Sequence, residues 1–159
     1  MSDTIPDIPA AVDDHVYITR AFNAPREVVW KFFTEPEYLV KWFGPHAIHT
    51  DPASVEIDLR PEGVWNLDMV DDDGPGRYPM RARITAVIPP EYLEGRVDAD
   101  AQEGEVRGVT MRIWLHDHGG KTRMTLVQGP FSPEFCTQTT NGWLESFEKI
   151  DAILEAGLA

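Results

Sequence analysis

The sequence predicts an α+β fold in which a curved antiparallel sheet of about six or seven strands wraps around one long C-terminal helix. Between residues 54 and 129, apolar and polar side chains alternate with the period of two that strands require. Residues 132–154 instead carry an apolar stripe with helical spacing. An apolar face on a sheet and another on a helix are most simply buried against each other, which gives a grip arrangement.

A strand and two short helices come first. Residues 15–22 are rich in β-branched and aromatic side chains, which favours a first strand. The segment that follows has Pro25 where a first helical turn accepts proline, and its apolar residues recur four apart. Pro36 opens a second short helix, and Gly44 and Pro45 end it because glycine caps helices and proline does not continue them. Both helices therefore lie between the first two strands.

The first predicted hairpin lies in the middle of the chain. Residues 54–59 and 63–70 alternate apolar side chains with acidic or amide ones, which indicates strands with one wet face. Residues 71–76 are rich in Asp, Gly and Pro, as turns are, and residues 78–88 alternate again. The pattern of residues 63–88 therefore predicts a hairpin.

The remaining strands continue this meander. Residues 91–97 predict a short strand, and the acidic residues 98–105 predict a solvated turn. Residues 106–116 and 122–129 alternate once more, and the loop that joins them has two adjacent glycines to supply the positive φ that hairpin loops need. The sheet is therefore expected to be purely antiparallel with one polar face.

One long helix completes the predicted fold. Ser132 is a capping residue type, Pro133 fits the first turn, and no proline follows. Gly157 stands where a helix C-cap is expected. The residues that recur at alternating spacings of four and three, and so form one stripe, are Cys136, Thr140, Trp143, Phe147, Ile150 and Leu154.

Composition and charge restrict the classes of function. A single core built from 159 residues is large enough to enclose a small-molecule cavity. The formal net charge of −13, with no basic patch to offset it, disfavours nucleic acid and membrane partners. Cys136 is the only cysteine, which excludes an intrachain disulfide and a multi-thiolate metal site and fits a reducing compartment. We expect a cytoplasmic protein with a flexible segment at residues 1–14 and a single domain at residues 15–159.

Four segments carry a resemblance to a known family. They are ITRAFNAPREVVWKFFTEPEYLVKWFGP, DLRPEGVW, YPMRARITAVIPPEYL and NGWLESFEKIDAIL, and they follow one another between residues 15 and 155. In these segments the chain resembles the START-like (SRPBCC) superfamily, specifically the branch named for the C-terminal domain of the heat-shock-protein-90 ATPase activator. The resemblance implies a helix-grip fold with a deep cavity between the C-terminal helix and the sheet.

The resemblance also implies a function. Across the superfamily this cavity holds lipids, polyketides, hormones and other apolar molecules, so we expect a module that binds a small, mostly apolar ligand without a cofactor. The alternative is an enzyme of the polyketide-cyclase or hydrolase kind that uses the same cavity. Regulation of a chaperone ATPase is less expected, because the activator resembles this chain only in its second domain. The sequence does not decide whether the protein forms a homodimer.

The expected ligand site lies where the inward faces of the sheet and the helix converge. Cys136 and Thr140 make the N-terminal half of the helix stripe small, and small residues leave space. No catalytic residue and no metal ligand is assigned. The ten residues assigned to ligand binding are Phe43, Trp65, Leu67, Met80, Met111, Gln128, Cys136, Thr140, Trp143 and Phe147.

Two positions near that cavity have competing explanations. Gln128 and Thr140 either satisfy each other or nearby backbone groups, point to solvent, or orient a ligand, because a buried polar group without a partner costs about 1 to 3 kcal/mol. Gly142 inside the helix costs about 1 kcal/mol relative to alanine. Such a glycine suggests a bend or a close approach to the corner at Trp42 and Phe43.

Other residues that could carry chemistry show weaker patterns. His116 and His118 are two apart, as strand ligands of a metal would be, but the sequence offers no third ligand beside them. His46, His49 and Asp51 follow the Gly-Pro corner, either as an acid and base at the cavity mouth or as part of a surface strand.

The adjacent aromatic residues Trp42 and Phe43 stand where the second short helix ends. Two large neighbours cannot point the same way, so they must have different environments. We expect Trp42 to seal the junction between the short helices and Phe43 to form the rim of the cavity.

Overall fold

Eight strands and three α-helices form the part of the chain that the structure describes, which is residues 4–101 and 104–157 of a computed structural model. The helices are α1 (Arg26–Thr34), α2 (Pro36–Leu39) and α3 (Pro133–Glu155). The strands are β1 (Val16–Phe22), β2 (Ile48–Thr50), β3 (Glu56–Ile57), β4 (Val64–Asp71), β5 (Arg77–Ile88), β6 (Tyr92–Ala101), β7 (Gly104–His118) and β8 (Lys121–Gly129).

The strands form one antiparallel sheet in the order β1-β8-β7-β6-β5-β4-β2, and β3 pairs with β4. The first strand therefore lies beside the last, with Val16 opposite Gln128. The register shifts after Ile84 in β5 and after Val97 in β6. Irregularities of this kind bend strands and increase their twist, which curves the sheet around α3. The helix-grip α+β fold expected from the sequence is confirmed.

The long helix α3 begins and ends as its sequence predicts. The Ser132 hydroxyl accepts a hydrogen bond from the Phe135 backbone N–H at 3.3 Å, and Gly157 adopts a φ of 69° just beyond the last turn. None of the helices in the described ranges has the length and hydropathy that a membrane span requires. The side chains that α3 buries are Cys136, Trp143, Ser146, Phe147 and Ile150.

The corner after α2 gives Trp42 and Phe43 different environments. Trp42 is 1% exposed, and its Nε1 donates a hydrogen bond to the Phe32 carbonyl at 2.8 Å, which ties α1 to the end of α2. The Phe43 ring contacts the rings of Trp65 and Trp143 at centroid distances of 5.2 and 5.4 Å. Trp42 therefore joins the short helices, and Phe43 joins the corner to the sheet and α3.

The acidic segment 98–105 differs from the sequence prediction. It was expected to form a solvated turn, but β6 continues to Ala101 and β7 starts at Gly104, while residues 102–103 lie outside the described residues. Ala99 is 8% exposed between Asp98, which is exposed, and Asp100, which is half-buried, so the strand alternation continues through the charged run. The acidic residues of this segment therefore belong to an alternating strand pattern, which their charge made look like a turn.

The region between the corner and β4 also differs. The strand expected at residues 54–59 shrinks to the two residues of β3, because a 3₁₀ turn at Pro52–Ser54 occupies the chain just before it. The sequence did not predict β2, which at three residues is too short to show a period. Both short strands pair with β4 and extend the sheet at that edge.

The outer face of the sheet carries an apolar cluster that the N-terminal segment contacts. Ile5 and Ile8 pack against the cluster around Tyr92 and Trp114. The Trp114 Nε1 donates a hydrogen bond to the Pro6 carbonyl at 2.8 Å. The flexibility expected of this segment stays a prediction.

Candidate functional site

A cavity of about 130 Å³ lies between the N-terminal half of α3 and one end of the sheet. The corner at Gly44 and Pro45 forms its third side. A cleft of about 340 Å³ also lies on the outer face beside residues 5–8, away from the place where the helix and sheet faces converge. The residues of α3 that line the inner cavity are Phe135, Gln138, Thr139, Gly142, Trp143 and Ser146.

The structure brings part of the predicted ligand site to this cavity. The predicted residues that line it are Phe43, Met80, Gln128 and Trp143. The predicted residues outside its lining are Trp65, Leu67, Met111, Cys136, Thr140 and Phe147, all of which except Thr140 are buried. A role of these ten residues in binding stays a prediction, but four of them already share one space.

The cavity-facing side of α3 lies next to the apolar stripe found in the sequence. Thr139 lines the cavity where Thr140 was expected, and Phe135 lines it where Cys136 was expected. One residue along an α-helix turns by about 100°, so the two sides are neighbours on the same helix. An apolar stripe marks the side that packs in the core, whereas the cavity borders the side with small residues. The signal for it was Thr139, Gly142 and Ser146 at spacings of three and four.

Gly142 opens the cavity and does not pack against the corner. A Cβ added at this residue meets no atom within 4 Å, so the close approach proposed from the sequence is wrong. Replacing Gly142 with alanine is expected to raise the free energy of unfolding by about 1 kcal/mol, because alanine has the higher helix propensity and meets no clash. Urea unfolding of both proteins measures the difference, and a loss of stability would reveal a contact that the structure lacks.

Gln128 and Trp143 form the buried polar contact of the cavity. Gln128 is 4% exposed, and its Oε1 accepts a hydrogen bond from the Trp143 indole Nε1 at 2.8 Å. Of the partners expected from the sequence, Thr140 is therefore not the one that Gln128 uses. The contact joins the end of β8 to the middle of α3 across the cavity wall.

The corner that forms the third side of the cavity is held by α3. The Lys149 amine donates hydrogen bonds to the carbonyls of Pro45 and Ile48, at 3.2 and 2.9 Å. The backbone N–H of His46 donates to the Glu145 carboxylate at 2.9 Å. The corner and α3 are thus linked by these three hydrogen bonds.

The Lys149 contacts carry a pH dependence whose sign follows from burial. Burial lowers the pKa of the Lys149 amine below its ordinary 10.5, against the opposing effect of Asp72 and Glu145. As pH approaches 10.5, the unfolded chain holds this proton longer than the folded one does, so the free energy of unfolding rises with pH through this group. Relative to Lys149→Met, the wild-type protein should therefore gain stability between pH 7 and about pH 10.

Urea unfolding of the two proteins at both pH values tests that sign. Lys121→Met removes a charge from the exposed first residue of β8 and serves as the control for net charge. The role assigned to burial would be contradicted if the stability of the wild type relative to Lys149→Met stayed constant or fell between the two pH values.

The titratable groups of the cavity are engaged by other residues. Tyr78 and Asp100 line it, but the Tyr78 hydroxyl donates to Asp71 at 3.0 Å and Asp100 accepts from Arg107 at 3.0 Å. No histidine stands among the lining residues that the structure describes. The acid and base suggested by the sequence, His46 and His49, instead have exposed side chains that pair with surface carboxylates.

Cys136 and the histidines also bear on nucleophilic and metal chemistry. Cys136 is buried beside the cavity, and burial raises the pKa of its thiol, which disfavours the reactive thiolate. Within residues 4–101 and 104–157, no three His, Cys, Asp or Glu side chains are grouped so that they could hold a metal ion. His116 and His118 lie at the end of β7, on the strand that leads into the hairpin loop.

Comparison with known proteins gives a family and a set of folds. The family model described as Activator of Hsp90 ATPase homolog 1-like protein matches residues 23–155. No curated protein matches the chain. The family match covers both short helices, the corner, strands β2 to β8 and all of α3.

Three solved structures illustrate the similarity. Protein Ms6760 from Mycobacterium smegmatis is 28% identical, with a TM-score of 0.76 over 97% of this chain and 99% of its own. The AHSA1 protein from Silicibacter pomeroyi is 21% identical, with a TM-score of 0.77 over 90% of this chain and 99% of its own. DynU16, a protein in the dynemicin biosynthetic locus, is 20% identical, with a TM-score of 0.68 over 92% of this chain and 49% of its own. At these identities the last two show the fold alone.

Proposed function

Because the chain belongs to the family of Activator of Hsp90 ATPase homolog 1-like proteins, we propose that it binds a small, mostly apolar molecule in the cavity between α3 and the sheet. The observation that carries this proposal is Gly142, which holds space open in the middle of a helix. Alanine there would favour the helix by about 1 kcal/mol and would meet no clash, but it would fill part of the cavity. Local departures from the most stable choice are expected at functional sites.

The lining of the cavity supports binding better than catalysis. Its walls are largely apolar, with the aromatic rings of Phe43 and Trp143 on one side and Met69 and Met80 on the sheet. An acid–base mechanism needs two titratable groups that are free to move a proton. Those that line this cavity already hold other partners, so the cyclase or hydrolase alternative has less support. The likeness to DynU16 is one of fold and carries no activity to this chain.

A search for stabilising compounds tests the binding function. Thermal unfolding of the purified protein is measured across a library of small apolar compounds. A compound present at ten times its Kd stabilises the folded state by about 1.4 kcal/mol, which raises the Tm of a chain of this size by about 3 to 6 °C. We expect at least one class of compounds to produce such a shift.

A variant with a filled cavity provides the control. Gly142→Leu places a side chain in the open space that Gly142 now borders, so the shifts should disappear while the fold remains. Circular dichroism and the unfolding transition of the variant confirm that it is folded. Compounds that shift both proteins equally bind elsewhere and would contradict the proposal, as would a library that shifts neither.

A further inference from the structure

Gln128 lines the cavity, and its side-chain amide nitrogen carries two N–H donors. An indole N–H can only donate, so the atom that Trp143 contacts is the Gln128 oxygen, and the amide nitrogen points away from that contact. Among the residues that the structure describes, no group accepts a hydrogen bond from this nitrogen. It is also absent from the fully buried polar atoms without a partner, so the nitrogen is accessible. A ligand with an acceptor atom would therefore complete the hydrogen bonding of Gln128.

Aromatic rings surround the space next to this donor. The rings of Phe43 and Trp143 meet at 90° with centroids 5.4 Å apart. Phe131 and Phe135 stack at 5.1 Å on the α3 side of the cavity. Aromatic rings pack against one another in offset-stacked or edge-to-face contacts, so these walls suit a flat ring.

The size of the cavity limits the ligand to about one ring. Its volume of about 130 Å³ is close to the ~150 Å³ of an engineered apolar cavity that takes up benzene. A long acyl chain or a fused polycyclic molecule would have to extend out of this space into solvent or rearrange the core. Gln138 lines the cavity and is exposed, so one side of the space reaches solvent.

The charges around the cavity exclude an ionised ligand. Asp100 is the one charged side chain among the lining residues described, and Arg107 pairs with it at 3.0 Å. A buried anion would find no cation in this lining, and the net charge of −13 opposes its approach. A buried ammonium group would likewise lose its hydration to a largely apolar wall without a free carboxylate to pair with.

We propose that the ligand is an uncharged molecule with a single aromatic ring and one hydrogen-bond acceptor, with its ring packed against the rings of Phe43 and Trp143 and its acceptor on the Gln128 amide. This inference rests on the proposed binding function and narrows it to a chemical class. Aryl ketones, aldehydes, esters and phenols belong to that class. Fatty acids, phosphates and aromatic carboxylates do not.

Three probes of similar size separate the features of this class. Acetophenone has the ring and the acceptor, cumene has the ring and the same shape without the acceptor, and benzoate has the ring and a negative charge. NMR titration of the wild-type protein and of Gln128→Met gives a Kd for each. The preference for acetophenone over cumene should be about 2- to 10-fold larger in the wild type than in the variant, and benzoate should not bind either protein.

The wild-type protein alone provides a second measurement in case Gln128→Met does not fold. The side-chain amide signals of Gln128 should move on addition of acetophenone and much less on addition of cumene. The exposed side-chain amide of Asn23, which is not among the cavity-lining residues, serves as the internal reference. If the preference for acetophenone over cumene is the same in the variant and the Gln128 amide signals do not move, the role of Gln128 is overturned and the binding function stands. Binding of benzoate at least as tight as that of acetophenone would overturn the uncharged class. Failure of all three probes would overturn this ligand class as a whole, and the compound library tests the cavity separately.

Discussion

Replacing Trp42 with alanine is expected to lower the free energy of unfolding by about 3 to 5 kcal/mol, because a large buried ring is lost from the core. Its indole stacks on Phe147 of α3 at 5.9 Å and contacts the edges of Phe33 and Phe43. Its removal leaves a cavity at the junction of three helices and a buried Phe32 carbonyl without its donor. Globular domains have only about 5 to 15 kcal/mol of stability, so the variant should lose a large part of it.

Urea unfolding monitored by circular dichroism measures this loss, and Trp42→Phe separates its two causes. Phenylalanine keeps a ring in the same place but cannot donate to the Phe32 carbonyl, so a smaller cost of about 1 to 3 kcal/mol is expected. Equal effects of the two substitutions would mean that the ring contacts contribute little. Near-wild-type stability of Trp42→Ala would contradict the packing described for the corner.

Replacing Gly44 with alanine is expected to cost about 1 to 3 kcal/mol of the free energy of unfolding and to weaken ligand binding. Gly44 has a φ of 133°, which side chains rarely tolerate, and an added Cβ would lie 2.8 Å from the Ile48 carbonyl oxygen. That carbonyl also accepts a hydrogen bond from Lys149. The added Cβ would therefore strain the backbone at Gly44. It would also displace Ile48, which lines the cavity.

Gly119→Ala is the control for a positive φ without a steric contact. Gly119 has a φ of 63°, and a Cβ there meets nothing within 4 Å. The control should cost less stability than Gly44→Ala, and it should leave the Kd for acetophenone unchanged because it lies in the loop between β7 and β8. Equal costs in urea unfolding would show that neither the contact with Ile48 nor the φ of Gly44 adds to the cost.

Local patterns in the sequence were enough to predict most of the fold. Alternation predicted the hairpin of β4 and β5, and capping residues predicted both ends of α3, because these features depend on neighbours within a few positions. The short strand β2 shows no period of its own. It exists because the corner brings residues 48–50 beside β4, which is a consequence of tertiary structure.

The cavity was less predictable from the sequence, for a related reason. Inward-facing apolar residues can either fill a core or line a space, and periodicity does not distinguish the two. Leu67 and Phe147 belong to the filled core, whereas Met80 and Gln128 border the cavity, although all four were assigned to it on the same grounds. The better signal was a shortage of volume on one side of a helix, at Thr139, Gly142 and Ser146.

The pairing of β1 with β8 has a consequence for the order of folding. Val16 lies opposite Gln128, so the residue that offers the donor to the cavity is fixed only after distant parts of the chain have met. Contacts between distant positions form slowly, because closing the intervening loop lowers the entropy of the chain. The cavity is therefore completed late, and the proposed ligand would recognise only chains in which the first and the last strand are already paired. Binding of such a ligand should slow unfolding and leave the folding rate nearly unchanged. The ligand would therefore increase the kinetic stability of the folded domain.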